Sequence, residues 1–380
     1  TATITTGQVP RDAGQPPQAK ARARDLGVPF NGTPGPLNAI TDVDGVEVGH
    51  ATIIEGSGPL VPGKGPVRTG VTAVLPRGRK SPGAVFGGYA VGNGNGEMTG
   101  SHWVEESGFL ENPILITNTH AVGVVHDTLI AWVGKNKFYE PLPGGSYWVL
   151  PVVAETYDGF LNDVNGFHVK PEHVFEALDT AASGPVAQGN VGGGTGMMCH
   201  QFKGGIGTAS RVITGLPETY TVGVLVQANY GLRRNLTIAS VPVGKEITDL
   251  MPEIGHPSPI SDTGSIIVII ATDAPLLPYQ LKRMARRAAL GLGRLGGFAA
   301  NGSGDIILAF STANPNAAHR DREAVIRMIP NDFSDPLLEG VVQATEEAVI
   351  NALLSAETMS GINGNTVYAL PHDRLIDLLK

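Results

Sequence analysis

Cysteine is nearly absent: Cys199 is the only one in 380 residues, so no disulfide can form within the chain. Basic residues are outnumbered, with 27 Lys and Arg against 35 Asp and Glu and a formal charge of −8. Phosphate backbones are bound by basic faces, so a nucleic-acid partner is not expected. No apolar run approaches the roughly 20 residues that cross a bilayer as a helix, and no membrane partner is expected either. The 10 histidines are scattered, and none forms H-E-x-x-H or a Cys/His zinc spacing. Neither a metal nor an organic cofactor is called for. An apolar signal core is also missing, and the first residue is Thr1. That start, with the polar segment behind it, leans towards an exported, leader-processed periplasmic protein, the cytoplasm being the alternative.

Apolar matter is plentiful. Hydrophobic residues make up 42% and charged residues 16%, enough for a large core and too few charges for global disorder. Residues 1–24 are polar, rich in Pro and Gln and without apolar periodicity, and read as a flexible arm. From Asp25 onward the chain reads as globular. Branched residues between Gly/Pro turns mark strands at Val46–Ile54, Val71–Leu75, Ile114–Thr117 and Tyr147–Val153, then at Gly204–Thr208, Tyr220–Ala228 and Ile306–Ser311. Ser265–Ala271 (SIIVIIA) is continuously apolar, the pattern of a strand buried on both faces. Helices are expected at His126–Val133, His173–Ala182, Pro278–Leu295 and Leu337–Ala356. The third carries Leu281, Met284, Ala285, Ala288 and Leu292 on one side and Lys282, Arg283, Arg286 and Arg287 on the other. These elements predict a layered α/β fold with helices covering sheets.

Five stretches can carry chemistry. Asp262-Thr263-Gly264-Ser265 leads into the buried strand. A Ser hydroxyl needs a base, and its own α-amine, with a pKa of roughly 7.7–8.0, serves once the preceding bond is cut. Glycine at that bond tolerates the strained backbone of an N-to-O acyl shift. Taken alone, the Gly-Ser dipeptide favours an ordinary turn entering a strand. Asn301-Gly302-Ser303-Gly304-Asp305 has turn composition, yet its hydroxyl and carboxylate at i and i+2 share one face of an extended chain. Gly189–Gly196 (GNVGGGTG) invites a nucleotide-binding reading, but neither phosphate-loop spacing fits, and packing or a turn is favoured. Ala154–Gly159 (AETYDG) puts Glu155 at a strand end, solvated or binding a substrate ammonium. Asn229, in Ala228–Gly231, is ordinary turn chemistry or an oxyanion donor. His120 either lines a pocket or is a satisfied structural histidine.

The order of these stretches is more specific than any of them. ARDLGVPFNGTPGPLNAITDVDGVEVGH (residues 23–50) is followed by AETYDG, GNVGGGTGM, VLVQANYG, DTGSIIVIIATDAPL and NGSGDIILAFSTAN. From about Ala23 to near the C-terminus the chain resembles the L-aminopeptidase D-Ala-esterase/amidase family, which includes the β-peptidyl aminopeptidases. The resemblance implies a four-layer αββα sandwich like that of N-terminal-nucleophile hydrolases, with different connectivity. It also implies autocleavage between Gly264 and Ser265 into residues 1–264 and 265–380, two parts of one domain. Subunits would assemble as a tetramer of αβ pairs. By position, Ser265 would be the nucleophile, Asn229 the oxyanion donor and Ser303 the neighbouring hydroxyl. Asp305 would support the site, Glu155 meet the substrate amine, and Tyr157 match a tyrosine of the L/D-aminopeptidase branch. Substrates would be short peptides, amino-acid amides or esters. The β-peptidyl branch has Glu where Asp305 stands, which leaves the preferred substrate backbone open. Ornithine acetyltransferases share the self-cleaving architecture but use Thr as nucleophile, so acetyl transfer is the lesser alternative.

Overall fold

A computed structural model describes residues 21–140, 142, 145–255 and 264–380. The chain runs β1 (Glu47–Glu55), β2 (Val67–Leu75), β3 (Val85–Gly94), α1 (Ser101–Ser107), β4 (Phe109–Leu110), β5 (Ile114–Asn118), α2 (Val122–Asn136), β6 (Val152–Thr156) and α3 (Pro171–Asp179). Then come β7 (Met198–Cys199), β8 (Phe202–Lys203), β9 (Gly205–Ile213), β10 (Tyr220–Asn229), α4 (Val243–Glu246), β11 (Ser265–Thr272) and α5 (Pro278–Arg294). β12 (Gly304–Ser311), α6 (Asp335–Leu354), β13 (Met359–Ser360), β14 (Thr366–Val367) and α7 (His372–Leu378) complete it.

Two sheets stack face to face. One has four strands in the order β1-β2-β5-β6; the other has six, β4-β3-β12-β11-β10-β9. The apolar run SIIVIIAT is buried throughout because its two faces are covered by different layers. Ile266, Val268 and Ile270 pack under α5 and α6. Ile267, Ile269 and Ala271 meet Ile114, Ile116 and Val152 of the facing sheet. On the far side of the smaller sheet, Val71 and Ala73 pack with Leu129 and Trp132 of α2 and Val174 of α3. Helix, sheet, sheet, helix: the expected αββα sandwich is present. Among the described residues no helix is long and apolar enough to cross a membrane.

The α5 stripe of Leu281, Met284, Ala285, Ala288 and Leu292 is buried as periodicity predicts, and Pro278 opens the helix. The strand expected at Tyr147–Val153 is displaced to Val152–Thr156. Tyr147 and Trp148 spend their aromatic surface elsewhere, Tyr147 stacking on Tyr139 and Trp148 meeting Trp103 edge-on. As a result Glu155 lies inside a strand, opposite Thr117, not beyond its end. Strand β3 went unrecognised because its glycines dilute the branched-residue signal.

Residues 1–20 of the expected arm lie outside the described residues. Arg22–Arg24, assigned to the same arm, belong instead to the body. The Ala23 N–H donates to Asn351 Oδ1 at 3.0 Å, and Arg22 donates to the Thr208 carbonyl at 2.7 Å. Arg24 and Arg211 both pair at 2.8 Å with Glu347, which is fully buried on α6. Their long polar side chains hid this, since an ion network leaves no apolar periodicity.

Candidate active site

Strand order brings the expected residues to one end of the larger sheet. In the antiparallel β10–β11 ladder Asn229 stands opposite Ser265, and in the parallel β11–β12 ladder Ser265 is level with Gly304. Ser303 and Asp305 therefore flank the residue beside Ser265. The Ser265 hydroxyl, almost fully buried, donates to the Gly264 carbonyl at 2.8 Å. The Gly304 N–H donates to that same oxygen at 3.2 Å. Asp262 and Thr263, the first half of the motif, lie outside the described residues.

Glycine is required at 264 by space. A Cβ there would lie 2.7 Å from Tyr230 Cα and closer still to the Asn229 carbonyl oxygen, both backbone atoms that cannot move aside. Gly304 is equally confined, since a Cβ would lie 2.5 Å from Asn95 O and 2.9 Å from Gly96 Cα. The end of β3, with no predicted role, turns out to shape the site. Asn93 Nδ2 donates to the Ser303 carbonyl, and Asn95 Nδ2 donates to the Gly302 carbonyl at 2.9 Å. The Asn-Gly-Asn-Gly run at 93–96 was the available signal.

Asn229 is fixed at both ends of its amide. Its Oδ1 accepts from the Met198 N–H at 2.8 Å and its Nδ2 donates to the Tyr157 carbonyl at 2.9 Å. Ser303 Oγ donates to Asp305 Oδ1 at 2.6 Å. Asp305 shares the helix-side face of β12 with Ile307 and Ala309. There it borders a cavity of about 230 Å³ walled by Tyr230, Leu292 and Phe298. Ser265 shares the opposite, inter-sheet face with Ile267. The residues thus converge on one sheet end from its two faces.

Glu155 is buried, and that burial pushes its carboxyl above the ordinary range, against the opposing pull of the Thr119 hydroxyl, the Glu97 N–H and His120. Oε1 accepts from the Glu97 N–H at 3.0 Å, and Thr119 Oγ1 donates to Oε2. Gly96 stands between Glu155 and β12, the strand beside the nucleophile's: a Cβ on it would lie 3.3 Å from Glu155 Oε1 and 3.2 Å from Gly304 Cα. Among the described residues no Lys or Arg pairs with this carboxyl. Tyr157 is partly exposed, edge-on to Phe160 at 5.8 Å. His120 is exposed and stacks on Phe167 at 6.4 Å, so it is not a buried structural histidine.

The glycine run has no room for a phosphate. Gly193 and Gly194 are buried, with a Cβ on Gly193 2.7 Å from the Ile116 carbonyl. The Gly192 and Gly193 N–H groups already donate to Thr52 Oγ1 at 2.8 Å and Thr72 Oγ1 at 3.1 Å. Packing is its role. Among the described residues no group of His, Cys, Asp and Glu is placed to hold a metal ion.

The model of peptidase family S58 matches residues 38–367. The chain belongs to peptidase family S58. A beta-peptidyl aminopeptidase of Sphingosinicella microcystinivorans is 55% identical over 369 residues, covering 94% of this chain and 92% of the relative. A second, from Sphingosinicella xenopeptidilytica, is 52% identical over 377 residues, covering 95% and 92%. Among solved structures, the L-aminopeptidase D-Ala-esterase/amidase of Ochrobactrum anthropi superposes with a TM-score of 0.87 at 48% identity, covering 94% of this chain and 98% of that one. That structure is described as a new variant of the Ntn hydrolase fold. The S58 chain is accordingly an aminopeptidase, a hydrolase of the same fold class.

Proposed function

We propose that this S58 aminopeptidase cuts itself between Gly264 and Ser265 and then releases N-terminal residues from short peptides, amides or esters through an acyl-enzyme on Ser265. One observation carries the proposal. The Ser265 hydroxyl and the Gly304 N–H meet on the carbonyl oxygen of the bond to be cut. Attack of Oγ on the Gly264 carbonyl carbon forms an ester as the C–N bond breaks and the hydroxyl proton passes to the departing nitrogen. The negative charge that develops on oxygen meets the Gly304 N–H. Water then hydrolyses the ester, leaving a carboxylate on Gly264 and a free amine on Ser265.

The freed amine is the base for turnover. An Asn amide has two N–H donors; one is committed to Tyr157 and the other serves the substrate oxyanion. The Ser303–Asp305 pair steadies the amine from the adjoining strand. Glu155, buried without a Lys or Arg partner among the described residues, binds the substrate ammonium. The two pieces stay together because β11 and β12 of the second lie in mid-sheet between β3 and β10 of the first.

Gly264 also bears on the substrate backbone. In the self-made ester the acyl group is glycyl, and its α-carbon has no room for an L side chain. A substrate acyl group seated there needs a carbon next to its carbonyl that is free of an L side chain. β-Amino acyl residues that carry their side chain on the third carbon have one; L-α residues other than glycine do not. Both curated relatives named above are beta-peptidyl aminopeptidases, so we assign this preference to the chain.

Mass analysis of the purified protein is the test. Two fragments meeting at Gly264/Ser265 are expected, with Ser265→Ala intact and inactive. A single uncut chain with full aminopeptidase activity would overturn the proposal. A panel of β-homo-amino-acid and L- and D-alanine p-nitroanilides reads the backbone preference.

A further inference from the structure

Asp158 is fully buried next to the site and takes no part in the chemistry above. Burial pushes its carboxyl up to about 7, although Thr69, Asn162 and Asn118 favour the charged form. Oδ1 accepts from Asn162 Nδ2 at 3.0 Å, while Oδ2 is buried without a hydrogen-bond partner within bonding distance. An ionised carboxyl so placed costs far more than it returns as a structural peg, which raises the question of what it holds.

Two branches lead from it. On one side, Asn118 Nδ2 donates to Thr69 Oγ1 at 2.7 Å, and Asn118 Oδ1 accepts from the His120 and Ala121 N–H groups, both at 3.0 Å. That amide caps the turn on which Thr119 reaches Glu155. Thr69, whose hydroxyl accepts from Asn118, and Asn118 itself both favour the charged form of Asp158, which couples that carboxyl to the Asn118 amide. On the other side, Asp158 follows Tyr157, whose carbonyl receives the Asn229 amide at 2.9 Å. The Asp158 carbonyl in turn accepts the Leu161 and Asn162 N–H groups at 3.0 and 3.1 Å, locking the bend.

We infer that Asp158 is a positioning residue that orients the ammonium-binding Glu155 through Thr69, Asn118 and Thr119, and the oxyanion donor Asn229 through the Tyr157 carbonyl. The inference rests on the function proposed above. Groups that orient a site's own ligands change activity by about 10- to 100-fold when removed.

The experiment compares processed wild type, Thr69→Val, Asp158→Ala and Asp158→Asn on one free-amine p-nitroanilide, with active sites titrated so that only folded enzyme is counted. Thr69→Val cuts the Glu155 branch alone and is expected to raise KM about tenfold with kcat within about twofold. Asp158→Ala loosens both branches and is expected to raise KM and to lower kcat about tenfold or more. Asp158→Asn keeps the acceptor for Asn162 and is expected to restore both to within about threefold. Lower Tm in these variants with kcat and KM unchanged per titrated site would overturn the inference, and so would a kcat loss in Thr69→Val with KM unmoved. Should Asp158→Ala not fold, the Thr69→Val split decides. Wild type inactive on every free-amine substrate would instead refute the proposed function itself.

Discussion

Replacing Gly264 by alanine is the perturbation whose effect can be worked most directly. The added methyl would stand 2.7 Å from Tyr230 Cα and nearer to the Asn229 carbonyl oxygen. Neither can yield by rotating a side chain, because Asn229 is held in the β10–β11 ladder opposite Ser265. Extra methyls forced into packed sites cost about 1–3 kcal/mol. Here relief means lifting the 264–265 peptide off β10, which draws the Gly264 carbonyl away from the Gly304 N–H and from Ser265 Oγ. If that cost falls on the attack geometry, at about 1.4 kcal/mol per tenfold, self-cleavage slows by about 5- to 150-fold. The assay is a time course of intact mass after rapid purification, with thermal melting of the uncut form as a fold control. The product should still divide at the 264/265 bond. Cleavage of Gly264→Ala at the wild-type rate would show that the Gly264 environment does not govern the cut.

Further outcomes follow from the other side chains. Asn229→Ala is expected to lower kcat by about 10²–10³, the scale for losing one oxyanion donor; an unchanged kcat per titrated site would remove Asn229 from that role. Glu155→Gln is expected to raise KM for free-amine substrates by about 10- to 100-fold, as a hydrogen bond to a charged group is worth roughly 1.5–3 kcal/mol. Because burial raises the Glu155 pKa, wild-type affinity should weaken as pH falls through a point above the ordinary carboxylate range. The glutamine variant should lack that limb, and a persisting limb would place it on another group. Asp158 gives a stability prediction. Burial raises its folded pKa to about 7 from the ordinary 3.8, above that of the unfolded chain, so the folded state holds the extra proton. Stability is then fully present below about pH 4 and lost as pH rises through 7, by about 4 kcal/mol at 1.36 per unit. Urea melts of Asp158→Asn at pH 5 and 8 should show a smaller loss than wild type; equal losses would assign the effect elsewhere.

The sequence by itself determined the layers and the family. IIVIIA, residues 266–271, is apolar at every position, so it had to be a strand covered on both faces. The stripe on α5 had to lie against a sheet. Ser265, Asn229, Ser303, Asp305 and Glu155 were named as candidates through the family resemblance that the order of the motifs carries, since each stretch taken alone reads as an ordinary turn or strand end. Tertiary structure decided how they meet. That Ser265 is level with Gly304 and opposite Asn229 depends on strand order β12-β11-β10, which no local pattern encodes. That Gly264 and Gly304 must be glycine rather than merely suit a turn depends on backbone brought close from Tyr230 and Asn95. The weight on Asp158 was unreadable for the same reason. A buried carboxyl and a surface one look alike in sequence, and only packing sets the solvent around them.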